Sequence, residues 1–519
     1  MIELNEFSSS FIPLTATALA LISAIFILRY HVKKSTQKTK KYHPIGTSHL
    51  SRVLNFYRLF DFMTDLSRKY NTYRLSSFFG SEIFTNDPAI VEYILKTNFQ
   101  NYGKGLYQYN IFKDLLGDGI FAVDGEKWRH QRKLSSYEFS TKILRDFSSV
   151  VFRTTAVKLA RIVSEASASN RSVDMQDILM KATLDSVFKV VLGIELDGLS
   201  GTYEEGTQFT DAFDTANAIT SFRFIDVFWK IKRFLNIASE AKLRKNIKVV
   251  DDFVYKLIKS KIERLNNRHD DLSSVSGKKE DILSRFLELK ETDPKYLRDI
   301  VLNFVIAGKD TTAATVSWFF YLLCKHPDIQ EKIAQEIIEA TQVRSNSSIE
   351  ELAAKVNEET LDRMHYLHAA LSETLRLYPA VPVDGKVCFS DDTLPDGFSV
   401  NKGDMITYVP YAMGRTKTLW GNDAEEFRPE RWLNENGHFQ PKSPFIFTAF
   451  QAGPRICLGK DFAYRQMKIF SMILLGSYKF KLSDDSKPVR YKTALTLHIE
   501  GGLHLRVLPR SSYEATVNA

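Results

Sequence analysis

The chain has 519 residues, 44% hydrophobic and 12% aromatic, with no Gly/Pro/Ser linker to divide it, which places it among globular proteins with a large core. Cys324, Cys388 and Cys457 are its only cysteines, too few and too scattered for a disulfide framework or a zinc site, so the thiols are expected in a reducing compartment. Lys and Arg outnumber Asp and Glu by 70 to 62, a net charge of +8; without concentrated basic stripes, this points to an acidic protein partner or membrane phosphates and away from nucleic acid.

The first element is the uncharged run Phe11–Leu28, which as a helix spans ~27 Å, close to the hydrocarbon thickness of a bilayer. A cleaved signal peptide carries its basic residues before the apolar core. Here Glu3 and Glu6 precede the core, and Lys33, Lys34, Lys38, Lys40 and Lys41 follow it. The reading is a retained single-pass anchor over residues 1–32, a basic linker over 33–50 and the folded domain over 51–519, which the positive-inside rule leaves in the cytosol.

Alternating segments at Thr72–Phe79, Glu82–Asp87, Phe398–Val409 and Thr496–Leu508 predict strands. Apolar residues at three- and four-residue spacing predict helices around Thr141–Glu165, Ile247–Leu265, Leu297–Leu323, Ile329–Gln342 and Met364–Leu377. The polar run Asn266–Asp281 reads as a surface loop. The fold class expected is mainly α with small β-sheets.

Four stretches carry possible chemistry. In "DGEKWRHQRK", Trp128 and Arg132 share a helical face, although a basic surface helix accounts for them equally well. In "NFVIAGKDTTAATVSWFF", Gly308, Asp310, Thr311 and Thr312 interrupt an apolar helix, where small residues and a buried acid cost stability; a kink is the plain explanation. In "LSETLRL", Glu373 and Arg376 stand three apart, a spacing common to exposed ion pairs worth under ~1 kcal/mol, but here the helix around them is apolar. In "FQAGPRICLG", Cys457 sits between Gly453 and Gly459 with Arg455 two residues before it. Alone it reads as a small buried hydrophobe. A thiolate ligand to iron, however, needs close backbone approach to a flat macrocycle and amide bonds to sulfur, and Arg455 could pair a haem propionate.

The pattern Phe-x-x-Gly-x-Arg-x-Cys-x-Gly from Phe450 to Gly459 resembles the cytochrome P-450 superfamily of haem-thiolate monooxygenases at all five fixed positions. The order of the other stretches agrees, and Arg431 in "FRPERW" matches the arginine completing the family's Glu-Arg-Arg network. The resemblance implies a P-450 fold over 51–519, with Cys457 as axial ligand of haem b and Phe450 beside it. It implies propionate contacts from Trp128, Arg132 and Arg455, and a structural role for Glu373, Arg376 and Arg431. Gly308 would open the helix over the haem, while Asp310 and Thr311 would hold water and relay protons for oxygen activation.

Electrons would come from NADPH through a reductase docking by an acidic face onto Arg129, Arg132 and Lys133, with O2 as co-substrate, at the endoplasmic reticulum membrane. Blocks such as "LRLYPAVPVD" and "FTAFQAGPRICLGKDFAYRQMK" look like the plant branch that hydroxylates long-chain fatty acids at the terminal carbon. Family-matched regions put Tyr107–Phe121, Phe304, Ala307, Ala380–Val383 and Ala494–Leu497 around the substrate, with Ala307, Val381 and Leu497 as the constriction. Alternatives are hydroxylation of a terpenoid, sterol or other specialised lipid, or a haem-thiolate isomerase or dehydratase. "AGKDTT" argues against the latter, because such enzymes typically lose the acid–threonine pair. A membrane-tethered binding protein would leave both haem motifs unexplained.

Overall fold

The strongest apolar periodicities become the longest helices. In this computed structural model, residues 40–77, 80–139, 141–269, 281–289, 292–343 and 347–510 are described. The principal helices are α1 (Gly105–Leu116), α2 (Gly125–Phe139), α3 (Lys142–Ala168), α4 (Met175–Leu192), α5 (Glu204–Phe222), α6 (Ala238–His269), α7 (Pro294–Lys325), α8 (Pro327–Thr341), α9 (His365–Leu377) and α10 (Lys460–Ser477). The anchor expected at Phe11–Leu28 lies outside the described residues. Among those described, no helix is long and apolar enough to cross a membrane.

Helix α7 is the axis of the fold. Asp293 caps it by accepting from the Lys295 N–H, Pro294 occupies its first turn, and it stops before Pro327. Residues 297–306 and 312–320 are buried, because α4, α6, α9 and α10 all pack against it. Helix α4 is apolar on most faces for the same reason, which hides its 3.6-residue period from a sequence reading. Helix α6 runs past the expected Leu265 to His269, so the predicted loop is helical over 266–269, and its remaining residues 270–280 lie outside the described set. Asn, Arg and His are only weak helix breakers.

The predicted strands pair, with two corrections. A six-stranded sheet contains β1 (Ile45–Ser48), β2 (Thr72–Ser77), β3 (Gly80–Thr85), β4 (Tyr102–Gly103), β5 (Asp384–Cys388) and β6 (Met405–Tyr408), in the order β1-β2-β3-β6-β5-β4. The segment Phe398–Val409 is not one strand, because Gly403 at φ +89° turns the chain; Ser399–Val400 pairs instead with Asp392–Thr393. Likewise Gly501 and Gly502, at φ +75° and +85°, split Thr496–Leu508. His498–Ile499 pairs with Tyr491–Lys492, and β8 (His504–Pro509) pairs with β7 (Tyr478–Leu482).

The linker expected over 33–50 is packed into the fold from residue 40 onward. Lys40 binds Asp391 at 2.7 Å, His43 Nε2 lies 2.7 Å from Asp396, and β1 runs parallel to β2.

Glu373 on α9 fastens the region ahead of the cysteine loop. Its side chain is fully buried, and Arg376 donates to both carboxylate oxygens at 2.7 Å. Arg431 Nε (3.3 Å), the Arg428 N–H (3.0 Å) and Trp432 Nε1 (2.8 Å) complete the shell. Arg376 reaches on to the carbonyls of Gly414, Ala424 and Glu426. Gly414 is required here, since a Cβ would stand 1.9 Å from the Arg376 carbonyl oxygen. On the same helix, His368 lies between Phe439 and Tyr464 at centroid distances of 4.0 and 4.2 Å.

Two predictions follow from α9. Glu373→Gln removes the carboxylate that pairs with buried Arg376, while Arg431 keeps Asp423 at 3.1 Å, and should cost about 3–5 kcal/mol in denaturant unfolding. Lys332→Met, which breaks an exposed pair with Glu430, should stay within about 1 kcal/mol; equal losses would contradict the ranking. The second concerns acid. Burial, then Lys468, Lys460 and His365, depress the pKa of His368 from 6.5 to about 3. As pH falls below 6.5 the unfolded chain takes up a proton that the folded chain refuses, so stability is lost between pH 6.5 and 3. This amounts to about 2 kcal/mol from pH 7 to 5. His368→Phe should flatten that limb of the stability curve, and an unchanged slope would contradict the assignment.

Candidate active site

A cavity of about 770 Å3 lies between α7 and the cysteine loop. The loop is built by backbone constraint. The Cys457 N–H donates to the Phe450 carbonyl at 2.8 Å, across a tight turn at Gly453–Arg455. Gly453 has φ +65°, and a Cβ there would meet the Leu95 carbonyl oxygen at 2.0 Å, so only glycine fits. Gly459 differs: its φ of −90° is ordinary and an added Cβ would meet only Phe139 at 3.9 Å. Neither protein packing nor backbone conformation demands it, yet it lines the cavity.

Cys457 counts as exposed although it lies deep in the fold, because what it faces is the cavity. Burial pushes its thiol pKa up, opposed by the Gly459 N–H and the positive charges of Arg132 and Lys460. The other two thiols differ. Cys324 is pushed up to about 12 by burial, and Cys388 in β5 donates to the Ser390 carbonyl at 2.8 Å. Neither lines the cavity.

Arg455 is buried. One terminal nitrogen binds Asp124 at 2.6 Å and the Val123 carbonyl at 3.1 Å, and the guanidinium stacks 4.3 Å from the Trp128 ring centre. Its Nε is buried with no hydrogen-bond partner among the described residues. Asp124 also accepts the Lys104 and Gly105 N–H groups at 2.9 and 2.8 Å, fastening the start of α1 to this arginine. Arg132 lines the same cavity, with its pKa lowered by burial against the pull of Cys457. These features fit a haem. A sulfur faces the space with an amide directed at it, a glycine leaves room for a flat group, and two guanidinium groups stand ready for carboxylates, one with an unpartnered donor. Cys457 would hold the iron and Arg455 and Arg132 the propionates, whereas Trp128 does not line the cavity and reaches the site only by stacking on Arg455.

Helix α7 brings Ala307, Gly308, Thr311, Thr312 and Thr315 to the cavity without interruption of the helix. The expected role of Gly308 changes: a Cβ there would stand 2.4 Å from Val187 Cγ2, so the glycine permits close approach of α4. The Thr311 hydroxyl donates to the Ala307 carbonyl one turn back. Asp310 does not line the cavity. It is 1% exposed, accepts from Asn217 Nδ2 at 2.9 Å and lies 3.3 Å from Lys309 Nζ. Lys309, Asn217 and Asp214 are site neighbours that sequence reasoning passed over, although a lysine within an apolar helix was a visible signal.

Phe304, Phe450, Val381 and the rest of Ala380–Val383 line the cavity, as do Tyr107 and Phe121. Leu497 does not. It is fully buried, with its N–H bonded to the Ala380 carbonyl (3.0 Å) and its carbonyl accepting from Trp318 Nε1 (2.7 Å). These two bonds fix the turn with Leu495 and Thr496 toward the cavity instead. The proposed basic docking face is partly neutralised, since Arg129 pairs with Glu126 and Lys127 with Asp118.

The family model described as Cytochrome P450 matches residues 43–506. The chain is 50% identical over 513 residues to "Cytochrome P450 704C1" of Pinus taeda, covering 96% of this chain and 97% of that protein. It is 46% identical over 527 residues to "Cytochrome P450 704B1" of Arabidopsis thaliana, with 95% and 99% covered. Identity to "Cytochrome P450 94A1" of Vicia sativa is 37% over 487 residues, covering 91% of each chain.

Proposed function

This chain belongs to the cytochrome P450 family of haem-thiolate monooxygenases, and from that premise we propose that it hydroxylates long-chain fatty acids at the terminal carbon. The observation that carries the reading is the composition of the cavity. Around Cys457 its walls are Phe304, Ala307, Val381, Leu495 and other apolar side chains. Among its basic groups away from the cysteine, Arg52 is paired with Glu82 (2.8 Å) and Lys104 with Asp384 (3.1 Å). Lys492 is exposed and has no ion-pair partner among the described residues. An acyl chain within and a carboxylate at the rim match that distribution.

When bound, haem b supplies the activation of O2 and the oxidation of the C–H bond, with electrons delivered from NADPH by a reductase. The protein's own groups do the rest. Cys457 would hold the iron through its sulfur, toward which the Gly459 N–H is directed. Arg455 and Arg132 would pair with its carboxylates, with Trp128 stacked on the Arg455 guanidinium. The Thr311 hydroxyl, at the cavity wall, and Asp310 behind it pass protons inward. The apolar walls exclude water and hold the chain end-on. That matters because terminal C–H bonds are stronger than those of the inner methylenes, so positioning must override intrinsic reactivity.

The enzyme is also proposed to sit on the endoplasmic reticulum membrane through the run Phe11–Leu28. Support comes from exposed apolar side chains beside the cavity: Leu50, Leu54 and Tyr57 near the lining residue Phe56, and Phe228, Ile231 and Phe234 beyond the lining residue Phe224. Such contiguous exposure marks an interaction surface.

Membranes carrying the protein and a reductase, incubated with a fatty-acid series, should yield chiefly ω-hydroxy acids by mass spectrometry. Val381→Ala and Leu495→Ala should move product toward the ω-1 and ω-2 carbons. Chiefly in-chain products, or turnover only of ring-shaped terpenoid or sterol lipids, would contradict the proposal.

A further inference from the structure

We infer that Lys309, Asp214 and Asn217 form a clamp that fixes the orientation of Asp310 and links it to the helix covering the cavity, which makes Lys309 and Asn217 positioning residues. This rests on the reading of Asp310 as a proton relay. A lysine in the middle of an apolar helix costs desolvation unless its charge is matched. Lys309 is 1% exposed and its ammonium contacts two carboxylates, Asp214 from α5 and Asp310 at 3.3 Å. Burial by itself lowers the pKa of Lys309, but Asp310 and Asp214 reverse this and leave it raised, so the lysine stays charged. A buried Asp310 thereby keeps a counter-ion.

The two oxygens of Asp310 are not equivalent. Oδ2 accepts from Asn217 Nδ2 at 2.9 Å. Oδ1 lies 3.3 Å from the lysine nitrogen and is buried without an aligned hydrogen bond among the described residues. Asp214 supplies the other end of the cluster; 47% of its side chain is accessible, yet the protein packed around it still raises its pKa by desolvation. His498 stands beside the same three charges, and its Nε2 is 2.7 Å from the hydroxyl of the lining residue Thr496.

The coupling follows from spacing on α5. Asp214 and Asn217 hold the clamp, and Ala218, Ile219, Ser221 and Phe222 line the cavity within the next turn. A substrate that shifts α5 therefore shifts the partners of Asp310, so chain binding and proton delivery are set by one helix.

The test uses the full-length holoenzyme with reductase and a long-chain fatty acid. Lys309→Met should lower kcat on the order of tenfold with KM within about twofold, and divert NADPH to peroxide, while Lys309→Arg restores coupling. Hydrogen exchange should quicken over residues 212–222 and 304–314 in Lys309→Met and in Asn217→Ala, independently of turnover. If Lys309→Met does not fold, Asn217→Ala at a half-buried position decides alone. Unchanged kcat, coupling and exchange in the variants that fold would overturn the clamp. Asp310→Asn separates the two readings: slowed turnover there with intact clamp variants sinks the clamp alone, whereas unchanged turnover in Asp310→Asn overturns both.

Discussion

A buried carboxylate is costly unless donors surround it, and the architecture around the site depends on how Glu373 meets that condition. Five hydrogen bonds converge on it, from Arg376, Arg431, Trp432 and the Arg428 backbone. Because three of those partners come from the segment 428–432, the network ties α9 to the chain that leads into the cysteine loop. Arg376 extends it to the carbonyls at 414, 424 and 426. Any of these groups alone would be an expensive buried polar atom; together they satisfy one another and leave one arrangement. The loop that presents Cys457 begins from that fixed base.

A second constraint acts within the loop itself. Gly453 passes so close to the Leu95 carbonyl that no side chain fits, which fixes the turn before Arg455 and Cys457. Arg455 then ties the loop to Asp124, and Asp124 to the start of α1. One arginine thus joins the cysteine loop, Trp128 on α2 and, through Asp124, the start of α1, with its Nε unpartnered among the described residues.

Much of this was legible from sequence because it depends on local spacing. The pattern Phe-x-x-Gly-x-Arg-x-Cys-x-Gly encodes a turn, and Glu-x-x-Arg encodes a helical face. Helices α3, α7 and α8 were visible through periodicity. What escaped depends on contacts between distant segments. Trp432 completes the Glu373 shell from 59 residues away. Gly308 answers to Val187 on another helix, and Leu497 is pinned away from the cavity by Ala380 and Trp318. The partners of Asp310 lie 93 residues back in the chain at Asn217, on a helix whose polar residues show no motif. Such pairings are set by how α5 crosses α7, and no window along the sequence contains both.

A cysteine that holds iron here must face the cavity, and of the three cysteines only Cys457 lines it. The most direct measurement is the absorbance spectrum of the reduced, carbon-monoxide-bound protein, for the natural chain and for Cys457→Ser, Cys324→Ser and Cys388→Ser. The account predicts a thiolate-type spectrum in the natural chain and in the Cys324 and Cys388 variants, and its loss in Cys457→Ser. A thiolate-type spectrum that survives Cys457→Ser would contradict it.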